Sequence, residues 1–98
     1  MKLLTEELKQ KLPDMGETED IKDPKAQVKL FTPWANWSWY LIEYDEEKEL
    51  AFGLADGFEQ ELGYIDLKEI KALEGPAGLK VERDKWWQPK TVSEIKEG

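Results

Sequence analysis

Apolar positions recur at every second residue in one stretch of this chain, a period that predicts a β-strand. Val28 and Leu30 alternate with polar neighbours within Ala26–Thr32. The aromatic-rich run Asn36–Tyr44 and the run Leu50–Ala55 predict the two strongest strands. Two further strands are predicted over shorter segments: Leu62–Ile65 and Gly78–Asp84. We therefore predict a mainly antiparallel sheet of four to five strands.

Short helices are predicted where a capping residue precedes a helical spacing of apolar residues. Thr5 is a candidate N-cap, and Pro13 ends the segment that follows it. Asp66 and Thr91 are each followed three residues later by a glutamate, the capping-box pattern that opens a helix. With two or three short helices beside the sheet, we predict a single α+β domain over residues 1–98.

The two strongest strands form a predicted hairpin whose register decides which side chains are buried. A five-residue turn over Asp45–Glu49 pairs three sets of residues: Tyr44 with Leu50, Ile42 with Phe52, and Tyr40 with Leu54. We predict that the face these side chains share is the core. The opposite face carries Trp37 and Trp39, and we predict that it is either covered by a helix or partly open.

The charge balance and the missing residue types narrow the available chemistry. Asp plus Glu number 22 against 14 for Lys plus Arg, so the formal net charge is −8. A net negative charge repels polyanions, which disfavours binding to nucleic acid or to an anionic membrane. The chain has no Cys and no His, so it lacks thiolate chemistry, the usual metal ligand and the usual proton-transfer group near neutral pH. We predict no cofactor and no metal.

The pattern of apolar residues also bears on location. The first residues, MKLLTEEL, turn acidic too early for a signal peptide. No apolar run approaches the ~20 residues of a membrane span. We therefore expect a cytoplasmic protein.

Six of the eleven aromatic residues lie in the run FTPWANWSWYLIEY, from Phe31 to Tyr44. So many rings in one stretch form either the centre of a core or a recognition surface. Trp37 and Trp39 would stack bases in a single-stranded nucleic-acid binder, but such platforms sit in basic grooves and the turn after them is acidic. Core packing is the preferred interpretation of both rings.

Carboxylates are concentrated between Glu43 and Glu61, where eight acids and one lysine occur. A solvated charged face is the simplest interpretation. No calcium-loop pattern occurs, so the metal signal is weak. A mimic of DNA that blocks a restriction enzyme is another interpretation, because spaced carboxylates imitate backbone phosphates. It requires one continuous face made of six acids: Asp45, Glu46, Glu47, Glu49, Asp56 and Glu59.

Glu59 and Glu61 form the one carboxylate pair that resembles catalytic machinery. Residues two apart in a strand point to the same side, and a close pair of carboxyls supplies the acid and the base of a glycosidase. Because no recognisable nucleophile or sugar platform accompanies them, we predict that the protein is not an enzyme.

Arg83 is the only arginine, and it precedes Trp86 and Trp87. Tryptophan and arginine together are typical of the energetic centres of protein interfaces. A functional interpretation is a clamp on a ligand carboxylate or phosphate. The structural alternative is a salt bridge from Arg83 to an acid of the loop Asp56–Glu61.

Three segments resemble a bacterial family known as domain of unknown function 2958: KLFTPWANWSWYLIEYD, FGLADGFEQELGYIDLKEI and GPAGLKVERDKWWQP. The resemblance covers nearly the whole chain. Its most specific part is the block Phe52–Leu67, followed by Glu82-Arg83-Asp84. The resemblance implies a small cytoplasmic protein, often encoded on mobile elements near anti-restriction and conjugation genes, with no catalytic residues to assign.

These features together favour a small non-catalytic module that binds another protein, with an accessory role on bacterial mobile elements. The candidate binding surface is made of seven residues: Arg83, Trp86, Trp87, Glu59, Glu61, Trp37 and Trp39. The alternatives are the acidic DNA mimic and the single-stranded nucleic-acid binder. The oligomeric state is left open.

Overall fold

The structure is a computed structural model that describes residues 2–98, with seven strands and three α-helices among them. The strands are β1 (Lys25–Ala26), β2 (Val28–Phe31), β3 (Ser38–Asp45), β4 (Leu50–Asp56), β5 (Gln60–Asp66), β6 (Glu82–Arg83) and β7 (Lys90–Thr91). The helices are α1 (Glu6–Lys11), α2 (Leu67–Ala72) and α3 (Val92–Glu97), and a 3₁₀ turn lies at Pro76–Gly78.

Five strands form the main sheet in the order β5–β4–β3–β2–β6, with each neighbouring pair antiparallel. β1 and β7 pair separately as a two-stranded ribbon. The α+β class and the antiparallel sheet are therefore confirmed. The strand predicted over Ala26–Thr32 is divided at Gln27, whose amide donates to the carbonyl of Leu41 at 2.8 Å.

The predicted capping residues open all three helices. Thr5 accepts a hydrogen bond from the Leu8 amide at 3.2 Å, and Asp66 accepts one from the Lys68 amide at 2.9 Å. Thr91 completes a capping box at the start of α3. In the chain from residue 2 onward, no helix has the length and apolar character needed to cross a membrane.

The predicted hairpin register is right at one end and wrong at the other. Tyr40 pairs with Leu54 as predicted, but Asp45 takes the place of Tyr44 opposite Leu50. The reason is a β-bulge between Leu41 and Glu43, which adds one residue to β3 and shifts every later pair. Tyr44 is thereby turned to the opposite face of the sheet from the one predicted.

Both faces of the sheet are covered, so the predicted core is only one of two. The predicted face holds a small cluster in which Tyr40, Ile42 and Leu54 pack with Val92 of α3. The larger cluster lies on the opposite face: Leu3, Leu4, Leu12, Val28, Leu30, Trp39, Leu41, Tyr44, Ala51, Ile65, Leu67, Ile70 and Val81. The face predicted to be either covered or open is therefore mostly covered.

A buried carboxylate ties the loop after α1 to the centre of the sheet. Glu43 is 4% exposed, and its two oxygens accept hydrogen bonds from the amides of Gly16 and Thr18, both at 2.8 Å. The Thr18 hydroxyl also donates to it. Burial acts to raise the pKa of Glu43, but these hydrogen bonds outweigh it and lower the pKa below its ordinary value.

Candidate functional site

The turn between β4 and β5 presents a phenylalanine to solvent beside a partly exposed tryptophan. Phe58 is 95% exposed, and Trp37 is 38% exposed. Their ring centroids lie 5.5 Å apart with an interplanar angle of 82°, an edge-to-face contact. Both rings line a shallow cavity of about 300 Å³ with three other residues: Ala55, Glu59 and Glu61. We call this the acidic–aromatic cavity.

Trp37 is held in the cavity by its main chain and by a glycine. Its amide donates to Oγ1 of Thr32 at 3.3 Å, and its carbonyl accepts from the Thr32 amide at 3.0 Å. A β-carbon on Gly57 would lie only 2.3 Å from Cζ3 of Trp37. The indole therefore rests directly on the turn because residue 57 has no side chain.

Glu59 and Glu61 form the charged rim of the acidic–aromatic cavity. Both residues are exposed, and no ion pair among residues 2–98 includes either carboxylate. Over the same residues, no group of three or more acids is arranged to hold a metal ion. Two acceptors beside two rings form a site that attracts a cationic side chain, through charge and through cation–π contact.

Trp39 does not join Trp37 as a second open ring. It is 9% exposed and packs within the larger core, with its centroid 6.3 Å from that of Trp37. A platform for single-stranded nucleic acid presents successive rings in a basic groove. Here one ring is covered and the rim is acidic, so the geometry does not favour the single-strand alternative.

The exposed apolar residues of β5 were missed by the sequence analysis. Leu62 is 49% exposed and Tyr64 is 71% exposed, and the Tyr64 ring meets Phe52 edge to face at 5.7 Å. A groove of about 450 Å³, which we call the Tyr64 groove, lies beside them and is bounded across from β5 by Met15 and Ile21. β5 is an edge strand of the sheet.

Two signals in the sequence would have identified these residues. Phe58 directly follows Asp56-Gly57, and an apolar side chain at the tip of a tight turn projects away from the body of the domain. Leu62 and Tyr64 alternate with Glu61 and Gly63. An apolar pair next to a glycine and a charge is weak packing for a central strand and indicates an edge.

The other three residues of the predicted binding surface, Arg83, Trp86 and Trp87, lie in β6 or just after it, at the opposite edge of the sheet. β6, which carries Arg83, is the edge strand opposite to β5, which carries Glu61. Four strand spacings separate the two edges, roughly 19 Å. Trp86 is 89% exposed, whereas Trp87 is partly buried with its ring 5.6 Å from Tyr40. The predicted residues thus form two surfaces rather than one.

The salt bridge predicted from Arg83 to the loop Asp56–Glu61 is wrong, because the sheet order places the two at opposite edges. Instead, Nη1 of Arg83 donates to the backbone carbonyls of Lys2 and Leu3, the latter at 3.0 Å. Leu3 and Leu4 are buried in the larger core. Through these hydrogen bonds, Arg83 holds Lys2 and Leu3 against β6.

Replacing Arg83 by alanine is therefore expected to loosen residues 2–4 and to leave the sheet intact. Loss of two hydrogen bonds from a charged donor is expected to cost about 1–2 kcal/mol of unfolding free energy. Hydrogen-exchange mass spectrometry is expected to show faster exchange in the first peptide, with Lys85→Ala as the exposed control. Unchanged exchange in that peptide would contradict the fastening role.

The six acids that a DNA mimic requires do not form one face. Four of them, Asp45, Glu46, Glu47 and Glu49, lie at one end of β4, and the other two, Asp56 and Glu59, lie at the other end. A seven-residue strand separates these groups by roughly 20 Å. Two of the acids also pair with lysines: Glu46 with Lys9 at 2.8 Å and Glu49 with Lys71 at 2.6 Å.

Comparison with known proteins assigns a family and no activity. The family model described as "Protein of unknown function (DUF2958)" matches residues 3–95, nearly the whole chain. No curated protein and no solved structure matches the chain.

Proposed function

The chain belongs to the DUF2958 family of proteins of unknown function, and from that premise we propose that it is a small non-catalytic module that binds another protein. The binding site is the acidic–aromatic cavity. The observation that carries this proposal is Phe58, a ring that is 95% exposed, contacts Trp37 edge to face and lines a cavity with two carboxylates.

An exposed phenylalanine in an ordered contact is prepared for burial by another molecule. Covering most of a phenylalanine side chain contributes about 1.5–3 kcal/mol to association. Because the Phe58 ring already contacts Trp37, less conformational entropy is lost when a partner covers it. Phenylalanine is among the residues enriched at protein interfaces relative to the rest of the surface.

The rim of the cavity selects the charge of the partner. Glu59 and Glu61 face solvent without an ion pair among residues 2–98. A lysine or arginine side chain entering the cavity meets both carboxylates and the two rings, and a cation–π contact there is worth about 0.5–2 kcal/mol. Phosphate backbones are repelled by the same carboxylates, which favours a protein over a nucleic acid.

The family resemblance supports an accessory role on bacterial mobile elements. In that role the partner is a protein encoded by the same element or by its host. The protein acts by occupying a surface of that partner, since the cavity offers rings and carboxylates for contact.

Site-specific photo-crosslinking tests this function whatever the identity of the partner. Phe58 is replaced by p-benzoylphenylalanine in bacteria that carry the element, and the cells are irradiated. We expect a discrete protein adduct, because a partner that covers the ring lies within reach of the photoreactive group. The matched control places the same residue at Glu97, which is exposed on α3.

The partner identified in that adduct is then measured with purified proteins. Phe58→Ala is expected to weaken its binding at least about 30-fold, the effect of an interface hot spot. A third variant carries the photoreactive residue in place of Trp86, and an adduct from it with none from position 58 would move the binding site to the exposed surface around Trp86. An adduct that nucleases remove, or no adduct above the position 97 control, would overturn the proposal.

A further inference from the structure

The free edge of β5 presents hydrogen-bonding groups that the sheet does not use. Just beyond the two ends of the β4–β5 ladder, the Leu67 amide donates to the Glu49 carbonyl, and the Gly57 amide donates to the Glu59 carbonyl. In an antiparallel pair the bonded positions alternate, so the odd-numbered residues of β5 face β4. The even-numbered residues, Leu62 and Tyr64 among them, therefore direct their N–H and C=O groups away from the sheet.

No other segment covers these groups within the described chain. β5 has β4 as its one neighbour in the sheet. None of the backbone hydrogen bonds outside the ladders among residues 2–98 involves Leu62 or Tyr64. Natural edges are usually protected by charged side chains, above all lysine, or by a proline, a bulge or a very short strand. The charged residues of β5 are the acids Glu61 and Asp66, with no lysine and no proline among its seven residues, and its register with β4 runs without a break.

The two faces of β5 differ sharply in chemistry. Leu62 and Tyr64 are exposed on the face that borders the Tyr64 groove. Glu61 lies on the other face, where it lines the acidic–aromatic cavity, and Glu69 of α2 lines the neighbouring cavity that shares Ala55. Along β5 itself, one face therefore exposes Leu62 and Tyr64, and the other exposes the carboxylate of Glu61.

We propose that β5 accepts an extended segment of the partner protein as a sixth strand, and that this segment alternates apolar and basic residues. The inference rests on the proposed function and specifies its partner. Side chains of an added strand point alternately to the two faces. Apolar side chains of the added strand would lie on the face of Leu62 and Tyr64, one strand spacing of about 4.8 Å away. Basic side chains of the added strand would lie on the opposite face, beside Glu61 and the acidic–aromatic cavity.

Charge decides between this partner and a second copy of the chain. Each copy carries a net charge of −8, and pairing two β5 strands would bring the acidic rims together. Like charges at this distance oppose association. A basic segment is attracted by the same acids, so the occupant is a cationic extended segment of another protein.

The test uses a labelled seven-residue peptide of alternating lysine and valine, measured by fluorescence anisotropy against the whole protein. We expect it to bind at least ten-fold more tightly than a peptide of the same composition with four lysines followed by three valines. In an antiparallel pair the valine amides face β5. N-methylation of the valines is therefore expected to abolish binding, and N-methylation of the lysines is expected to change it by less than three-fold.

Variants of the protein complete the test. Leu62→Pro removes an N–H that faces solvent and breaks no ladder bond, so it is expected to lower binding at least ten-fold with the fold retained. Leu62→Ala keeps the N–H and is expected to lose only part of that affinity. Glu61→Lys is expected to weaken binding at least ten-fold. The peptide comparisons remain decisive if the proline variant does not fold.

The outcomes separate this inference from the proposed function. If both methylated peptides bind equally, or if the block peptide binds as well as the alternating one, strand addition is overturned. A crosslink from position 58 under those results would leave the protein-binding function standing. Elution of the protein as a dimer that dissociates on addition of the alternating peptide would support the β5 edge as the binding surface, whereas a dimer that excludes the peptide would overturn the proposed occupant.

Discussion

Gly53→Ala is expected to destabilise the domain by on the order of 3 kcal/mol, because the two central strands leave no space for a methyl group. A β-carbon on Gly53 would lie 2.0 Å from the carbonyl oxygen of Tyr40 and 3.1 Å from Cα of Leu41. These are backbone atoms, so no rotamer change relieves the contact. β3 and β4 would have to separate beside the bulge.

Gly63→Ala is the matched control for this substitution. Gly63 lies directly opposite Gly53 in the register of β4 and β5, yet a β-carbon there meets nothing within 4 Å. Alanine at this position is expected to change stability by less than about 1 kcal/mol, and to increase it if the unfolded chain loses entropy. Urea unfolding followed by circular dichroism measures both variants. Equal stability of the two would show that β3 and β4 can separate at little cost.

Glu43→Ala is expected to lower the unfolding free energy by about 3 kcal/mol, since it removes the acceptor of three hydrogen bonds from the loop after α1. The amides of Gly16 and Thr18 would lose their partner, and the loop would detach from the sheet. Glu43→Gln keeps one carbonyl acceptor and is expected to lower the unfolding free energy by about half as much. The control is Glu47→Ala, an exposed turn residue whose replacement is expected to change stability by less than about 0.5 kcal/mol.

The same carboxylate makes stability depend on pH in a defined direction. The pKa of Glu43 is lowered in the folded protein below its ordinary value of 4.5. Its contribution is therefore complete above the unfolded pKa and is lost as the pH falls through the lower folded pKa. Three other carboxyls have pKa values lowered by hydrogen bonds of their own: Asp23, Glu49 and Glu94.

Because several carboxyls contribute to the pH dependence of stability, the contribution of Glu43 is measured as a difference in unfolding free energy between two proteins. Unfolding free energies of the native chain and of Glu43→Gln are compared from pH 7 down to pH 3. The gap between them is expected to be constant above about pH 5 and to narrow below it, because only the native chain loses a charge at residue 43. A gap that stays constant over the whole range would show that folding does not lower the pKa of Glu43.

The elements of the fold could be predicted because their signals are local. Thr5, Asp66 and Thr91 are N-cap residues, and each indicates the start of a helix from the residues of a single turn. The bulge in β3 has no such signature, and it alone displaced the register by one residue. The second core was also foreseeable: five of the six residues in Trp39–Tyr44 are apolar or aromatic, and a nearly continuous apolar run is typical of a strand covered on both faces.

The candidate site was predictable in its parts and not in its arrangement. Trp37, Glu59 and Glu61 were identified from residue type and do line one cavity. Arg83 and Trp86 were joined to them wrongly, because strand order depends on long-range pairing that residue spacing does not encode. Glu43 is the clearest omission, since its partners lie 25 and 27 residues away in the chain.

A sheet with apolar layers packed on both sides has only its perimeter left to meet other molecules. In this domain the perimeter consists of turn tips and the outer strand, where side chains support little of the interior. Substitutions there change stability only slightly. A handful of rim positions can therefore be replaced while the folded scaffold stays the same.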